Sequence, residues 1–148
     1  MHFLTTATTL LAALATTATA ITTLKPDGKR CIAGYANEDA SMYMGPTLGT
    51  QNYHSHTGFV TDPNGKIISE MSQRFNSWQT FTSVLPYTVD MYCGQDTSKT
   101  LTRCTSVEVR YAGQDIQSKA DSTNCVCGKD DTVFDAKGYC ACYFDCPL

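Results

Sequence analysis

The sequence predicts an α+β fold: an antiparallel sheet of four to five strands, one main helix packed on it, and disulfides stapling the whole. Three observations carry that expectation. Residues 105–111 (TSVEVRY) alternate, with Val107, Val109 and Tyr111 on one side and Glu108 and Arg110 on the other. This is the period of a half-buried strand. Residues 70–82 (EMSQRFNSWQTFT) place Met71, Phe75 and Trp78 at i, i+4 and i+7, the stripe of an amphipathic helix. The chain also holds eight cysteines, an even number that reads as four disulfides in an exported protein.

Residues 31–56 read as irregular, punctuated by Gly34, Gly45-Pro46 and Gly49. A short helix is expected over 38–44, with Asn37 as its cap. Two apolar runs, Phe59-Val60 and Ile67-Ile68, flank Asp62-Pro63-Asn64-Gly65. That is a hairpin turn, because proline presets φ and Asn and Gly tolerate positive φ. The main helix follows, with Ser69 capping it, Ile68 extending its stripe, and the single tryptophan on its buried face. Residues 84–93 (VLPYTVDMYC) alternate as a strand, putting Tyr87, Val89, Met91 and Cys93 on one side. Residues 94–103 are polar and read as a loop, and residues 113–124, with only Ile116 apolar, read as a loop or one weak helical turn. Near the C-terminus, Val133-Phe134 and Tyr139-Cys140 flank a second hairpin-type turn at 135–138. Positions i and i+2 of a strand share a face. Cys125 and Cys127 therefore point one way together, as do Cys140 and Cys142, and a cystine-lined β ribbon is expected. Eight cysteines allow 105 pairings, and sequence leaves the choice open.

The first twenty residues read as a secretory signal peptide. An apolar stretch at 10–15 lies between threonine-rich flanks and ends in Ala18-Thr19-Ala20, the small-x-small pattern cut after Ala20. The stretch is far shorter than the ~20 residues that span a bilayer. Residues 21–30 (ITTLKPDGKR) end in the dibasic pair Lys29-Arg30, directly before Cys31. The pair resembles the sites cut by Kex2-type processing proteases of fungal secretory pathways. That resemblance implies a pro-segment at 21–30 and a single mature domain at 31–148. The segment contains no cysteine, so its loss would break no staple.

Every cysteine lies in the mature part: Cys31, Cys93, Cys104, Cys125, Cys127, Cys140, Cys142 and Cys146. The nearest partner of Cys31 is Cys93, so its bridge must close a long loop and tie the mature N-terminus to the body. Removing residues 1–30 takes away Lys25, Lys29, Arg30 and Asp27, leaving 8 basic and 13 acidic residues and a net charge of −5. An acidic chain without a dense basic block excludes charge-driven binding of nucleic acid. It also speaks against anionic membranes as partners. No N-glycosylation sequon is present. A monomer is expected.

His54 and His56 are the only histidines outside the signal peptide. In an extended segment His-x-His puts both rings on one face, as a metal site or an acid/base pair needs. Asp62 and Glu70 are the nearest carboxylates. A pair is not a constellation, so two solvated loop histidines are the favoured interpretation. The segment Asn52-Tyr53-His54-Ser55-His56-Thr57-Gly58-Phe59 is similar to the histidine-bearing strand of the small acidic guanyl-specific fungal ribonucleases. That family's chemistry implies a His–Glu–Arg–His set. Glu70 with Arg74, or Glu108 with Arg110, could fill its middle, but no histidine follows His56 to act as general acid. Asp62-Pro63-Asn64-Gly65 also matches the middle of a calcium loop, yet Val60 and Met71 would occupy ligand positions, so it is a turn. Asp130, Asp131 and Asp135 form an acidic hairpin tip that reads as solvated. No serine-nucleophile motif and no phosphate-binding glycine loop occur. No catalytic residue, metal or cofactor is assigned.

In general design the chain resembles the small secreted cysteine-rich proteins of filamentous fungi. The likeness rests on the signal peptide, Lys29-Arg30 before Cys31, the eight cysteines and the short mature domain. It implies an extracellular effector or virulence factor that binds a host protein without catalysis, and that could be delivered into the host. A ribonuclease-like hydrolase, or an inactive derivative of one, is the first alternative. An antimicrobial or killer-type toxin is the second, and the acidic charge opposes it. The weakly cross-linked middle, residues 35–86, is the expected partner-facing region.

Overall fold

Every regular element among the described residues is a β-strand. A computed structural model describes residues 23–43, 50–72, 74–95, 103–131 and 135–147. The strands are β1 (Cys31–Tyr43), β2 (Thr50–Thr61), β3 (Ile67–Ser72), β4 (Trp78–Phe81), β5 (Val89–Gln95), β6 (Cys104–Tyr111), β7 (Gln114–Gln117), β8 (Cys125–Asp131) and β9 (Asp135–Phe144). They form two antiparallel sheets, one of five strands ordered β3-β2-β1-β9-β8 and one of four ordered β4-β5-β6-β7.

The sheets pack face to face, because each carries one apolar face. The five-stranded sheet contributes Tyr35, Val60, Cys140, Cys142 and Phe144 to the core. The four-stranded sheet contributes Phe81, Val89, Met91, Val107, Val109 and Tyr111. Aromatic edges lock the layers together, with Tyr35 against Phe81 at 6.4 Å and Tyr111 against Phe144 at 5.0 Å between ring centroids. Polar links also cross between the sheets, among them Gln79 Nε2 of β4 donating to the Ser72 carbonyl of β3 at 3.0 Å. The Tyr35 hydroxyl donates to the Met91 carbonyl at 3.1 Å, and the Cys104 amide donates to Asn37 Oδ1 at 3.0 Å. Gly58 has to be glycine here. A Cβ would come within 2.5 Å of the Phe81 ring and 2.7 Å of the Tyr35 ring, inside any van der Waals contact.

Four disulfides close the frame: Cys31–Cys146, Cys93–Cys104, Cys125–Cys142 and Cys127–Cys140. Cys125 lies directly opposite Cys142, and Cys127 opposite Cys140, on neighbouring strands. These two bridges are the rungs of the expected cystine ribbon. Cys31–Cys146 spans 115 residues and ties the start of β1 to the chain's end, as the long-loop argument required.

The predicted α+β class is overturned, in its helix and in its single sheet of four to five strands, since the described residues form two sheets of five and four strands. Residues 67–81 form β3 and β4 instead of one helix. Asn76 sits between them with φ of 52°, a left-handed conformation that no helix interior accepts. The Trp78–Phe81 backbone pairs with Val89–Tyr92. The stretch is rich in Ser, Thr, Asn and aromatics, which leave helices readily when a sheet edge is on offer. Trp78 is accordingly 41% exposed, not buried. The short helix expected at 38–44 is also absent. Strand β1 runs unbroken to Tyr43 and pairs with β2, from Ile32 opposite Thr61 to Tyr43 opposite Thr50.

The second turn is displaced as well. Residues 135–138 belong to β9, and Ala136 lies opposite Asp131. The same register pairs Cys127 with Cys140, so the cystine register overrides the local turn chemistry. Residues 114–117, read as loop or a weak helical turn, form edge strand β7.

The first turn stands as expected. The Gly65 amide donates to the Asp62 carbonyl at 3.0 Å, and Asp62 Oδ1 accepts from the amides of Asn64 and Lys66 at 2.9 Å each. Val107, Val109 and Tyr111 face the core while Arg110 faces out, and Val89, Met91 and Cys93 are likewise buried.

Candidate functional site

The four-stranded sheet buries one face and leaves the other open. Strand alternation sends Trp78 and Thr80 of β4, Asp90 and Tyr92 of β5, Glu108 and Arg110 of β6, and Asp115 and Gln117 of β7 to the outside. Register then sorts them into two rows. Trp78, Tyr92, Glu108 and Gln117 lie side by side across the sheet, and so do Thr80, Asp90, Arg110 and Asp115.

The side chains interlock. The Trp78 and Tyr92 ring centroids are 5.6 Å apart. The Arg110 guanidinium lies 4.1 Å over the Trp78 ring, close enough for cation–π attraction. Arg110 Nε donates to Asp115 Oδ2 at 3.3 Å, and Thr80 Oγ1 donates to Asp90 Oδ1 at 2.6 Å. At one end the face opens into a recess of about 460 Å³ lined by Tyr87, Asp90, Arg110, Gln114 and Asp115. Tyr87 on its rim is 62% exposed.

The outer side of this sheet offers two aromatic rings, one guanidinium fork and several carboxylate acceptors on rigid strands. Tryptophan, tyrosine and arginine are the residues that dominate binding energy at interfaces. Trp78, Thr80, Asp90, Tyr92, Glu108, Arg110, Asp115 and Gln117 include no histidine or cysteine, and the Thr80 hydroxyl is already engaged by Asp90. No group of three metal-ligating side chains occurs among the described residues.

The candidates singled out from sequence lie elsewhere. His56 pairs across with Asn37, and Phe59 pairs with Glu70. His56 and Phe59 are three residues apart on one strand, so His56 and Glu70 occupy opposite faces of the five-stranded sheet. The His56 ring packs edge-on against Phe75 at 4.8 Å. His54 stands opposite Asp39 in the register, and its side chain lies outside the described residues. The same holds for the side chains of Asp130, Asp131 and Asp135, while Ala20 falls wholly outside. Lys29 and Arg30 are described. Arg30 is held by Asp27, Asn124 and Tyr143.

No known protein family, curated protein or solved structure matches this chain. The site therefore stands on its own geometry. Sequence reasoning missed it because Trp78 was assigned to a helix's buried side. The available signal was the polar company of that tryptophan. Ser77, Gln79 and Thr80 beside it make a poor core segment but a good open strand.

Proposed function

We propose that the protein is a secreted effector-type protein that binds a host target through the open face of its four-stranded sheet, without catalysis. The observation that supports this most directly is Trp78. It is the chain's one tryptophan, it is 41% exposed on a rigid strand, and it is overlaid by Arg110. With Tyr92 beside it and Arg110 over it, three residues of the types that dominate binding energy at interfaces meet at this point. Four disulfides are typical of proteins that work outside the cell, and the N-terminal twenty residues support export. The fungal setting and the host as target rest on the general design alone.

The single tryptophan makes the test direct. Trp78 emission should shift or quench when the refolded domain meets its target, and Trp78→Ala should weaken capture of that target at least about tenfold, the scale of an aromatic anchor. Identical capture by wild type and Trp78→Ala would sink the assignment of this face. RNA cleavage by the wild type that disappears in His54→Ala would replace the binding role with a ribonuclease-like one.

A further inference from the structure

The opposite side of the molecule, the outer face of the five-stranded sheet, is occupied by the chain itself. Alternation puts Ile32 and Gly34 of β1, Phe59 of β2, and Tyr139, Ala141 and Tyr143 of β9 on that face. Phe59 and Tyr139 stack there, 6.0 Å apart at 28°. Ile32 is only 3% exposed although it takes no part in the central core. What lies on this face is the segment immediately before β1.

Residues 23–30 are held by their backbone. The Leu24 amide donates to the Tyr139 hydroxyl at 3.3 Å, and the Tyr143 hydroxyl donates to the Lys25 carbonyl. The Gly28 amide donates to the Pro63 carbonyl at 3.0 Å. Pro26 rests on Gly65, where a Cβ would meet its ring at 2.5 Å. Arg30 anchors the end. Its guanidinium lies 4.1 Å over the Tyr143 ring, its Nη1 donates to Asn124 Oδ1 at 2.6 Å, and its Nε donates to Asp27 at 2.8 Å. Burial pushes the Tyr139 phenol above its ordinary value, so that hydroxyl stays neutral.

These contacts have the form of peptide recognition. Two tyrosine hydroxyls read consecutive backbone groups, a glycine platform takes a proline ring, and an aromatic face with an amide takes an arginine. All but the Asp27 contact are made by groups of the domain that begins at Cys31. Nothing covalent holds the segment beyond the Arg30–Cys31 peptide bond, since it has no cysteine.

We propose that the outer face of the five-stranded sheet is a docking groove for a peptide carrying a proline and, four residues later, an arginine, and that residues 23–30 close it in cis. Cutting after Lys29-Arg30 releases the strap and opens the groove. This site is separate from the Trp78 face and survives the failure of that assignment.

The test uses a fluorescein-labelled peptide of residues 23–30. It is titrated into the uncut chain and into the chain cut after Arg30 by a Lys-Arg-specific protease. If the folded chain resists cutting, the Asp27→Ala variant, which frees the Arg30 guanidinium, is cut instead. The cut protein should bind the peptide at least about tenfold more tightly than the uncut protein. Tyr139→Phe with Tyr143→Phe in the cut protein should weaken binding by about tenfold, the scale of two neutral hydrogen bonds, while Trp78→Ala leaves it unchanged. Equal binding by cut and uncut protein overturns the proposal, as does no binding to the cut protein at millimolar peptide. Resistance of both chains to cutting also overturns it, because a strap that never leaves can serve no docking groove.

Discussion

Asp27 shows how much one side chain organises. Its carboxylate accepts from the amides of Lys29 and Arg30 at 2.8 Å each and from Arg30 Nε at 2.8 Å. The backbone bond from Arg30 is the largest cause, and together these bonds hold its carboxyl at about 2, below the ordinary 3.8. A folded-state value below the unfolded one means the interaction is complete above pH about 4 and is lost as the pH falls through about 2. The amide resonances of Lys29 and Arg30 should therefore titrate together with a midpoint near 2 in an acid NMR series. A midpoint near 3.8 would show that the turn is open in solution. The same turn folds the dibasic pair onto the body, so Asp27→Ala should speed cutting after Arg30 in limited proteolysis. Tryptophan at 78 and arginine at 110 make the complementary case on the other face, where residue type alone suggested burial and an ordinary solvated charge.

At the level of elements, the β6–β7 hairpin is informative. Ala112 and Gly113 both carry positive φ, 48° and 84°, which is the geometry of a tight type I′ turn. Glycine accepts that conformation and alanine does not, at a cost of about 1–2 kcal/mol. Ala112→Asn should raise stability by about 0.5–1 kcal/mol, read as a higher urea midpoint with an unchanged slope. A lower midpoint would show that Ala112 has a packing role the hairpin geometry hides. This hairpin was illegible in the sequence because β7 is an edge strand of four mostly polar residues, with Ile116 its only apolar one. The helix expected between residues 70 and 82 failed for a related reason. Met71, Phe75 and Trp78 fit a helical stripe by spacing, yet Met71 packs toward the core from β3 while Trp78 looks outward from β4. A turn at Asn76 separates the two, and spacing across a turn carries no information. Strands with a clean two-residue period, β5 and β6, were legible because one face is buried and the other wet.

For the whole molecule, the disulfides divide into local rungs and one long tie. Cys127–Cys140 spans 13 residues, and Cys31–Cys146 spans 115. The chain-entropy view makes the long tie worth about 2 kcal/mol more, because stabilisation grows with the logarithm of loop length. Cys31→Ser with Cys146→Ser should therefore lower the unfolding free energy by about 2 kcal/mol more than Cys127→Ser with Cys140→Ser in urea titrations. Equal losses would place the stabilisation in native packing instead. The sandwich also explains why the two outer faces are independent. One lies on the outside of each sheet, with the full core between them.

The even cysteine set, the −5 charge of residues 31–148 and the cystine ribbon were all decided by the sequence itself, since they depend on composition and on short-range spacing. The all-β architecture, the pairing of Cys31 with Cys146, the exposure of Trp78 and the docking of residues 23–30 were decided only by the tertiary structure. The physical reason is common to all four. Each depends on which distant strand satisfies a segment's backbone hydrogen bonds, and local propensity is too weak to name that partner.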